Sequence, residues 1–236
     1  MKNPPPFSSK PDENPATVSV TSQDIDAGQR VYSRTFLMFY DALVLKFFNR
    51  FIWGCPSPHI HAMYQRHISD NHLEVGVGTG AYLEICRFPS ENPRLALMDM
   101  NPNCLETASR RLARYRPEIY RRNIYEPIVL DGGPFDSIGL NYVLHCLPGN
   151  LRTKAVVFTH LKKLLKPGGV VFGATLLGSG PNHRMAKLAT RIFNEQKIFS
   201  NADDHLSDLK GILTDGFQQS EVILVGSAAL FWARNE

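Results

Sequence analysis

The residues of this chain that most directly suggest chemistry are an acid and three glycines at alternate positions, Glu74, Gly76, Gly78 and Gly80. The apolar residues around Glu74 predict a buried strand and the residues after Gly80 a helix start, so the glycines occupy the turn between them. Glycine tolerates positive φ and has no side chain, which lets a ligand lie against its backbone. The first N–H groups of the following helix point towards that ligand. We therefore predict a nucleotide-type cofactor at this turn.

Two classes of cofactor are compatible with the glycine turn. Gly76, Gly78 and Ala81 fit the G-x-G-x-x-A pattern of dinucleotide-binding folds. The position of Glu74 before three glycines favours a different ligand, because a carboxylate attracts a cationic group and repels a pyrophosphate. The glycine pattern by itself does not separate the two classes.

A second acid ends the next predicted strand, residues 94–99. Asp99 follows the glycines by about 20 residues, which is the spacing of the ribose-binding carboxylate in nucleotide-binding folds. Its oxygens can accept hydrogen bonds from both ribose hydroxyls. The apolar side chain of Met100 can lie against an adenine ring. Asp99 could also be a solvated turn acid before Asn101, but its spacing behind the glycines favours the ribose role.

Three further segments complete a recognisable pattern. Residues 118–122 predict a short strand that leads into Asn123 and Ile124. Residues 134–149 predict a fourth strand with a Phe-Asp start and a Leu-His-x-Leu-Pro exit, and residues 164–172 predict a helix end, a Pro-Gly-Gly turn and a fifth strand. In this order and spacing, from about residue 73 to the C-terminus, the chain resembles the class I S-adenosylmethionine-dependent methyltransferases.

The resemblance implies a cofactor site. It implies that Glu74 and the glycine turn hold the methionine part of S-adenosylmethionine and that Asp99 holds the ribose. The implied adenine contacts are Met100, Asn123 and Ile124. Asn123 stands where the family usually has Asp, and its amide oxygen can still accept a hydrogen bond from the adenine amine.

The resemblance also suggests residues near the transferred methyl group. Asn141 and Tyr142 end the fourth strand and are candidates to bind the cofactor's amino-acid end or the acceptor. Tyr32, in the aromatic N-terminal region, is a candidate to reach the cofactor carboxylate. His145 is the candidate catalytic base, and the alternative is a histidine that only shapes the pocket. A base is needed only when the acceptor atom loses a proton in the reaction.

Alternating strands and helices predict an α/β chain with a Rossmann-like class I methyltransferase fold. We expect a seven-stranded, mostly parallel sheet with strands at residues 73–77, 94–99, 118–122, 135–141, 169–175, 219–225 and 228–233. The last two predict a C-terminal antiparallel hairpin, which argues against a nicotinamide-dependent dehydrogenase domain. Residues 1–24 are expected to be disordered. Residues 25–70 are expected to form a helical cap, and residues 71–236 the cofactor-binding domain, with an insertion at about 178–204 that covers the site.

Composition limits the other classes of function. Hydrophobic residues make up 43% of the chain, charged residues 20%, and the net charge is +4, as in soluble globular proteins. The arginines between Arg110 and Arg122 are interpreted as a solvated helix face, so no nucleic-acid partner is expected. The four cysteines lack paired or metal-ligand spacing, so we predict no metal and a reducing, cytoplasmic setting. No apolar run is long enough for membrane insertion.

The sequence therefore predicts a methyltransferase that uses S-adenosylmethionine, releases S-adenosylhomocysteine and acts on a small-molecule acceptor. The aromatic N-terminal region suggests an apolar or aromatic acceptor, such as a secondary metabolite. Whether oxygen, nitrogen or carbon is methylated stays open, as does the oligomeric state. Two alternatives remain: an NAD(P)-dependent oxidoreductase, and a catalytically silent methyltransferase fold that serves as a binding or regulatory protein.

Overall fold

A computed structural model describes residues 41–178 and 184–236, with side chains from residue 47 onwards. The expected disordered tail, the first part of the expected helical cap and Tyr32 lie outside the described residues. So do residues 179–183 of the expected insertion.

One mixed sheet of seven strands forms the centre of the protein, in the order β3-β2-β1-β4-β5-β7-β6. Strands β1 to β5 are parallel, and β7 is antiparallel to both β5 and β6. The strands are β1 (Asn71–Val75), β2 (Arg94–Asp99), β3 (Glu118–Arg121), β4 (Phe135–Gly139), β5 (Leu165–Leu176), β6 (Gln219–Val225) and β7 (Ala228–Arg234). The predicted sheet with its C-terminal antiparallel hairpin is confirmed.

Helices connect the strands and cover both faces of the sheet. A π-helical segment, Asp41–Ile52, precedes the first α-helix, and single 3₁₀ turns lie at Ala113–Tyr115 and Leu144–Cys146. The α-helices are α1 (Ser57–His67), α2 (Ala81–Ile85), α3 (Pro102–Arg111), α4 (Leu151–Lys163), α5 (Arg184–Glu195) and α6 (Leu206–Gly216).

Two of the strand boundaries that differ from the prediction do so for clear local reasons. Strand β1 was predicted to end at Val77 but ends at Val75, because Gly76 already has a φ of +68° and begins the turn. Strand β5 begins at Leu165, four residues before its predicted start. Leu165 pairs with Phe135, and the register then shifts before the next paired residues. The predicted Pro-Gly-Gly turn is therefore an irregularity inside β5.

The core is divided between the two faces of the sheet. On β2, Ala96 and Met98 belong to one buried cluster, while Leu95 and Leu97 belong to the other. This alternation follows from the two-residue period of a strand, and burial on both faces is the rule for parallel strands. The order of the strands reverses between β1 and β4, and open α/β sheets bind ligands at the carboxyl ends of strands at such a point.

Candidate functional site

A cavity opens at the carboxyl ends of β1, β2 and β4, where the strand order reverses. All the described residues that the sequence predicts for the cofactor line this cavity: Glu74, Gly76, Gly78, Gly80, Asp99, Met100, Asn123, Ile124, Asn141 and Tyr142. Glu74 and Asp99 lie at the ends of β1 and β2, and the loops after β1, β2, β3 and β4 supply the other residues. The structure therefore brings the predicted set to one place, and each individual role stays a prediction.

The three glycines of the turn have different physical reasons to be glycine. All three have positive φ, at +68° for Gly76, +51° for Gly78 and +73° for Gly80. A Cβ on Gly76 would lie 2.2 Å from Cγ2 of Val143, so Gly76 permits close packing. A Cβ on Gly80 would press on α3. A Cβ on Gly78 would meet no atom within 4 Å and would project into open space. At Gly78, a bound ligand can therefore occupy the space that a side chain would otherwise fill.

Two donors hold the carboxylate of Glu74 at the end of β1. The hydroxyl of Tyr64 donates to Oε1 at 2.5 Å, and Nε2 of His72 lies 3.0 Å from Oε2. Glu74 is only 4% exposed and still lines the cavity. A buried carboxylate needs hydrogen-bond donors, and its remaining lone pairs can accept further bonds from a cationic ligand.

Asp99 joins the end of β2 to the glycine turn. Its Oδ1 accepts a hydrogen bond from the N–H of Asn101 at 2.8 Å, and the backbone N–H groups of Val77, Gly78 and Met100 also favour its charged form. Burial outweighs these bonds and raises the pKa of Asp99 to about 6. The carboxylate is therefore costly to bury, and a ligand hydroxyl that donates to it would stabilise its ionised form.

The predicted adenine contacts lie along one side of the cavity. Met100 follows β2, and Ile124 is buried with its carbonyl fixed by Nδ1 of His160 at 2.9 Å. The side chain of Asn123 already makes two hydrogen bonds within the protein. Its Oδ1 accepts from the N–H of Tyr125, and its Nδ2 donates to Glu126. An amide oxygen has two lone pairs, so one still fits a ligand amine.

The end of β4 presents an unusual backbone and an unsatisfied polar atom. Oδ1 of Asn141 is buried and has no hydrogen-bond partner, although it belongs to the cavity wall. Tyr142 has a φ of +57°, and its N–H donates to the carbonyl of Ala174 at 2.7 Å. Strained residues and unpartnered buried polar atoms are concentrated at ligand sites. A ligand ammonium group fits the need of Asn141 for a donor.

The structure does not bring His145 to the cavity. His145 follows β4 as predicted, in a 3₁₀ turn, but it is absent from the described cavity wall and is 4% exposed. Its ring packs against Phe199 at 4.5 Å, and its Nδ1 faces the N–H of Leu176 at 3.4 Å. Burial and the nearby charge of Lys154 lower the pKa of His145 to about 3. This geometry favours a packing role behind the cavity wall over the role of catalytic base.

Sequence reasoning missed other residues of the cavity wall. These are chiefly Tyr64, Thr79, Tyr82, Val143, Cys146, Leu147 and Pro148. Tyr64 is the most informative of them, because it lies on α1 and contacts Glu74 from outside the residues predicted for the cofactor-binding domain. Tyr64 is buried together with Ile60 and Met63 on the inner face of α1. The helical spacing of these three residues in the sequence could have predicted that Tyr64 faces the core.

The rest of the described chain bears on metal, membrane and nucleic-acid sites. Within residues 41–178 and 184–236, no three His, Cys, Asp or Glu side chains are arranged to hold a metal ion. No helix of that part of the chain is long and apolar enough to cross a membrane. In the arginine cluster, Arg110 pairs with Glu106 one turn away, and Nε of Arg111 lies 3.4 Å from Glu84. Arg121 lies on β3 and Arg122 lines the cavity, so the prediction of one solvated helix face holds only for the arginines on α3.

Comparison with known proteins gives consistent matches. Residues 73–171 match the family model described as a methyltransferase domain. The demethylluteothin O-methyltransferase of Streptomyces thioluteus is 35% identical over 92% of this chain and 95% of its own length. The O-methyltransferase of the physcion biosynthesis cluster of Aspergillus chevalieri is 35% identical over 88% of this chain and 95% of its own length.

A solved structure supports the same fold. The N-methyltransferase NodS of Bradyrhizobium japonicum WM9, crystallised with S-adenosylhomocysteine, superposes with a TM-score of 0.58 over 86% of this chain and 97% of its own. At 18% sequence identity, the likeness concerns the fold alone.

Proposed function

The chain belongs to the S-adenosylmethionine-dependent methyltransferases, and from that premise we propose that it methylates a hydroxyl oxygen on a small apolar ring compound. It is a methyltransferase enzyme that uses S-adenosylmethionine to methylate small molecules. The choice of oxygen and of an apolar ring is the proposal. The observation that carries it is the identity of 35%, over 92% and 88% of this chain, to two relatives described as O-methyltransferases.

The cavity fits the cofactor, and we assign its residues accordingly. Glu74 and Asn141 are assigned to the ammonium group, because one is a buried carboxylate and the other a buried oxygen without a donor. Asp99 is assigned to the ribose and Met100, Asn123 and Ile124 to the adenine. Gly78 leaves the space in which the methionine part would lie. Two carboxylates in one cavity suit a ligand with an ammonium and a sulfonium group.

The residues after β4 support an apolar acceptor. Tyr142, Val143, Leu147 and Pro148 give this part of the cavity wall a mainly apolar surface. Such a wall favours a ring compound, because burial of apolar surface is favourable. A charged acceptor would be disfavoured there, because it would lose its hydration without gaining a polar partner.

The proposed chemistry asks little of the protein beyond alignment. Bound S-adenosylmethionine supplies an electrophilic methyl group on its sulfonium. The chain's residues bind the two molecules in one orientation and exclude water, which can account for most of the rate enhancement. A phenol or enol is acidic enough that a weak base or water can remove its proton. This agrees with a cavity wall that does not include His145.

We also propose that the protein works in a reducing compartment such as the cytoplasm. All four cysteines are free thiols, three of them buried. Disulfides form readily in oxidising compartments, so unpaired cysteines support a reducing one.

The test is a methylation assay with a panel of acceptors of matched size: phenols, enolic pyrones and arylamines. We expect a methyl ether on a phenol or enol by mass spectrometry and its loss in Asp99→Ala. Methylation of the amines alone would overturn the proposed acceptor atom and leave the family assignment intact.

A further inference from the structure

We propose that Tyr64 and His72 are positioning residues, which hold the carboxylate of Glu74 in the orientation that binds the ammonium group of S-adenosylmethionine. The inference rests on the assignment of Glu74 under the proposed function. It adds two residues that do not belong to the glycine motif, one of them on α1.

The carboxylate of Glu74 is held from two sides. Tyr64 donates to one oxygen at 2.5 Å, and His72 lies 3.0 Å from the other. A Cβ on Gly139 would lie 2.2 Å from Oε2 of Glu74, so the glycine in the neighbouring strand makes room for the carboxylate. These contacts restrict the rotation of the carboxylate, and its remaining lone pairs are left for a ligand.

Tyr64 is itself fixed by its ring. It is 1% exposed, lies against the ring of Tyr82 at 5.7 Å and meets Phe172 edge-on at 5.1 Å. Burial, followed by the charge of Glu74, raises the pKa of Tyr64 well above its usual value. The phenol therefore stays protonated and stays a donor at every pH at which the protein functions.

His72 is fixed by a chain of hydroxyls on its other side. It is fully buried, and Nδ1 lies 2.8 Å from Oγ of Ser137, which in turn lies 2.7 Å from Oγ of Ser69. A carboxylate can only accept, so Nε2 carries the proton that faces Glu74. In the neutral ring Nδ1 accepts from the hydroxyl of Ser137, which selects this tautomer.

This arrangement predicts that Tyr64 and His72 affect the binding of only the amino-acid end of the ligand. Tyr64 and His72 contact Glu74, and Glu74 is assigned to the ammonium group alone. Loss of either donor frees the carboxylate to rotate and leaves one oxygen buried without a donor. Binding of the amino-acid end should weaken, while binding of the adenosine part, on the side of Asp99 and Ile124, should not.

The experiment compares two ligands on variants of the full chain. S-Adenosylhomocysteine carries the amino-acid end, and 5′-methylthioadenosine keeps the adenosine and the thioether without it. We expect Tyr64→Phe and His72→Gln each to weaken S-adenosylhomocysteine by about tenfold, since a hydrogen bond to a charged group is at stake. The affinity for 5′-methylthioadenosine should change by less than about twofold. Calorimetric titration measures both.

The matched control is Tyr120→Phe, because the hydroxyl of Tyr120 also donates to a glutamate, Glu118, at 2.7 Å but lies on the edge strand β3. It should leave both affinities unchanged. Equal weakening of both ligands in Tyr64→Phe and His72→Gln would overturn the positioning role, as would unchanged binding of S-adenosylhomocysteine.

A further variant, Glu74→Gln, tests the assignment of Glu74 separately from the positioning role of Tyr64 and His72. If it removes the preference for S-adenosylhomocysteine while Tyr64→Phe and His72→Gln keep it, the assignment of Glu74 stands and the positioning inference fails. If Glu74→Gln keeps the preference, the assignment under the proposed function fails and the inference fails with it.

Discussion

The cavity wall with the glycine turn is built differently from the packed region behind His145, which consists of Lys154, Phe199 and Asp204. The wall is made by backbone: glycines with positive φ and N–H groups directed at Asp99. The region behind His145 is made by side chains that meet across long stretches of sequence. Lys154 on α4 contacts Asp204, fifty residues later, with 2.7 Å between Nζ and Oδ2.

The Lys154–Asp204 pair connects α4 to the segment after α5. Both side chains are fully buried, and Nζ of Lys154 also donates to the carbonyl of Ser200 at 2.6 Å. That contact places the neighbouring Phe199, whose ring lies 4.5 Å from that of His145 and 6.0 Å from that of Trp53.

The two regions depend on different contributions to the free energy. The glycine turn depends on positive backbone φ angles and on the absence of side-chain atoms at its glycines. The region behind His145 depends on desolvated charges that are stable only in pairs. Substitutions in the turn should therefore affect binding or stability according to where the added atoms lie, whereas substitutions of the buried pair should affect stability.

The largest effect is expected from Lys154→Met. It leaves Asp204 buried without its counter-ion and should lower the free energy of unfolding by about 3–5 kcal/mol, as measured by urea denaturation. The double variant Lys154→Met/Asp204→Leu removes both charges and should recover most of that loss. A single variant as stable as the wild type would contradict the role of the pair.

The next largest effect is a difference between Gly76 and Gly78, which lie in the same turn, in how substitution changes stability and cofactor affinity. Gly76→Ala should cost about 2–5 kcal/mol of stability, because its Cβ would overlap Val143 and its positive φ would also be strained. Gly78→Ala should cost about 1–2 kcal/mol through backbone strain alone, but should lose more affinity for S-adenosylhomocysteine since its Cβ enters the ligand space. Thermal denaturation and titration of both variants test this, and the same ranking in both measurements would contradict it.

A smaller effect is a pH dependence of cofactor binding. Burial raises the pKa of Asp99 from 3.8 to about 6, so its protonated form contributes stability at low pH that is lost as the pH rises through this window. Ribose hydroxyls donate to the ionised form. Affinity for S-adenosylhomocysteine should therefore rise with pH, with the rise centred near pH 6, and level off about one pH unit higher. Titrations across this range test the prediction, and Asp99→Asn should bind weakly with a flat profile.

The smallest effect is expected at His145. With a pKa of about 3 the ring stays neutral, so it should not contribute an inflection to the pH profile of methyl transfer above about pH 5. His145→Gln should cost about 1 kcal/mol of stability and leave the turnover number within a few-fold of the wild type. A hundredfold loss of turnover in a stably folded variant would restore the catalytic base.

The same contrast explains what the sequence could predict. The glycine turn, Asp99 and the sheet were readable because each depends on neighbouring residues and on a strand period. The contact of Tyr64 with Glu74 was not, since it needs the packing of α1 on the sheet. His145 was placed on the correct turn, but the direction of its side chain depends on Phe199, more than fifty residues later.

The base of the segment between β5 and α6 limits where that segment can change in length. The N–H of Gly178 donates to the carbonyl of Asp204 at 3.2 Å, so the chain after β5 and the chain before α6 meet at one closed point. Closing a loop costs only slightly more free energy as the loop lengthens. Phe199 lies inside this closure, and its ring packs against that of His145. Insertions that keep the closure and this ring contact should therefore be tolerated, whereas insertions that displace Phe199 should lower stability.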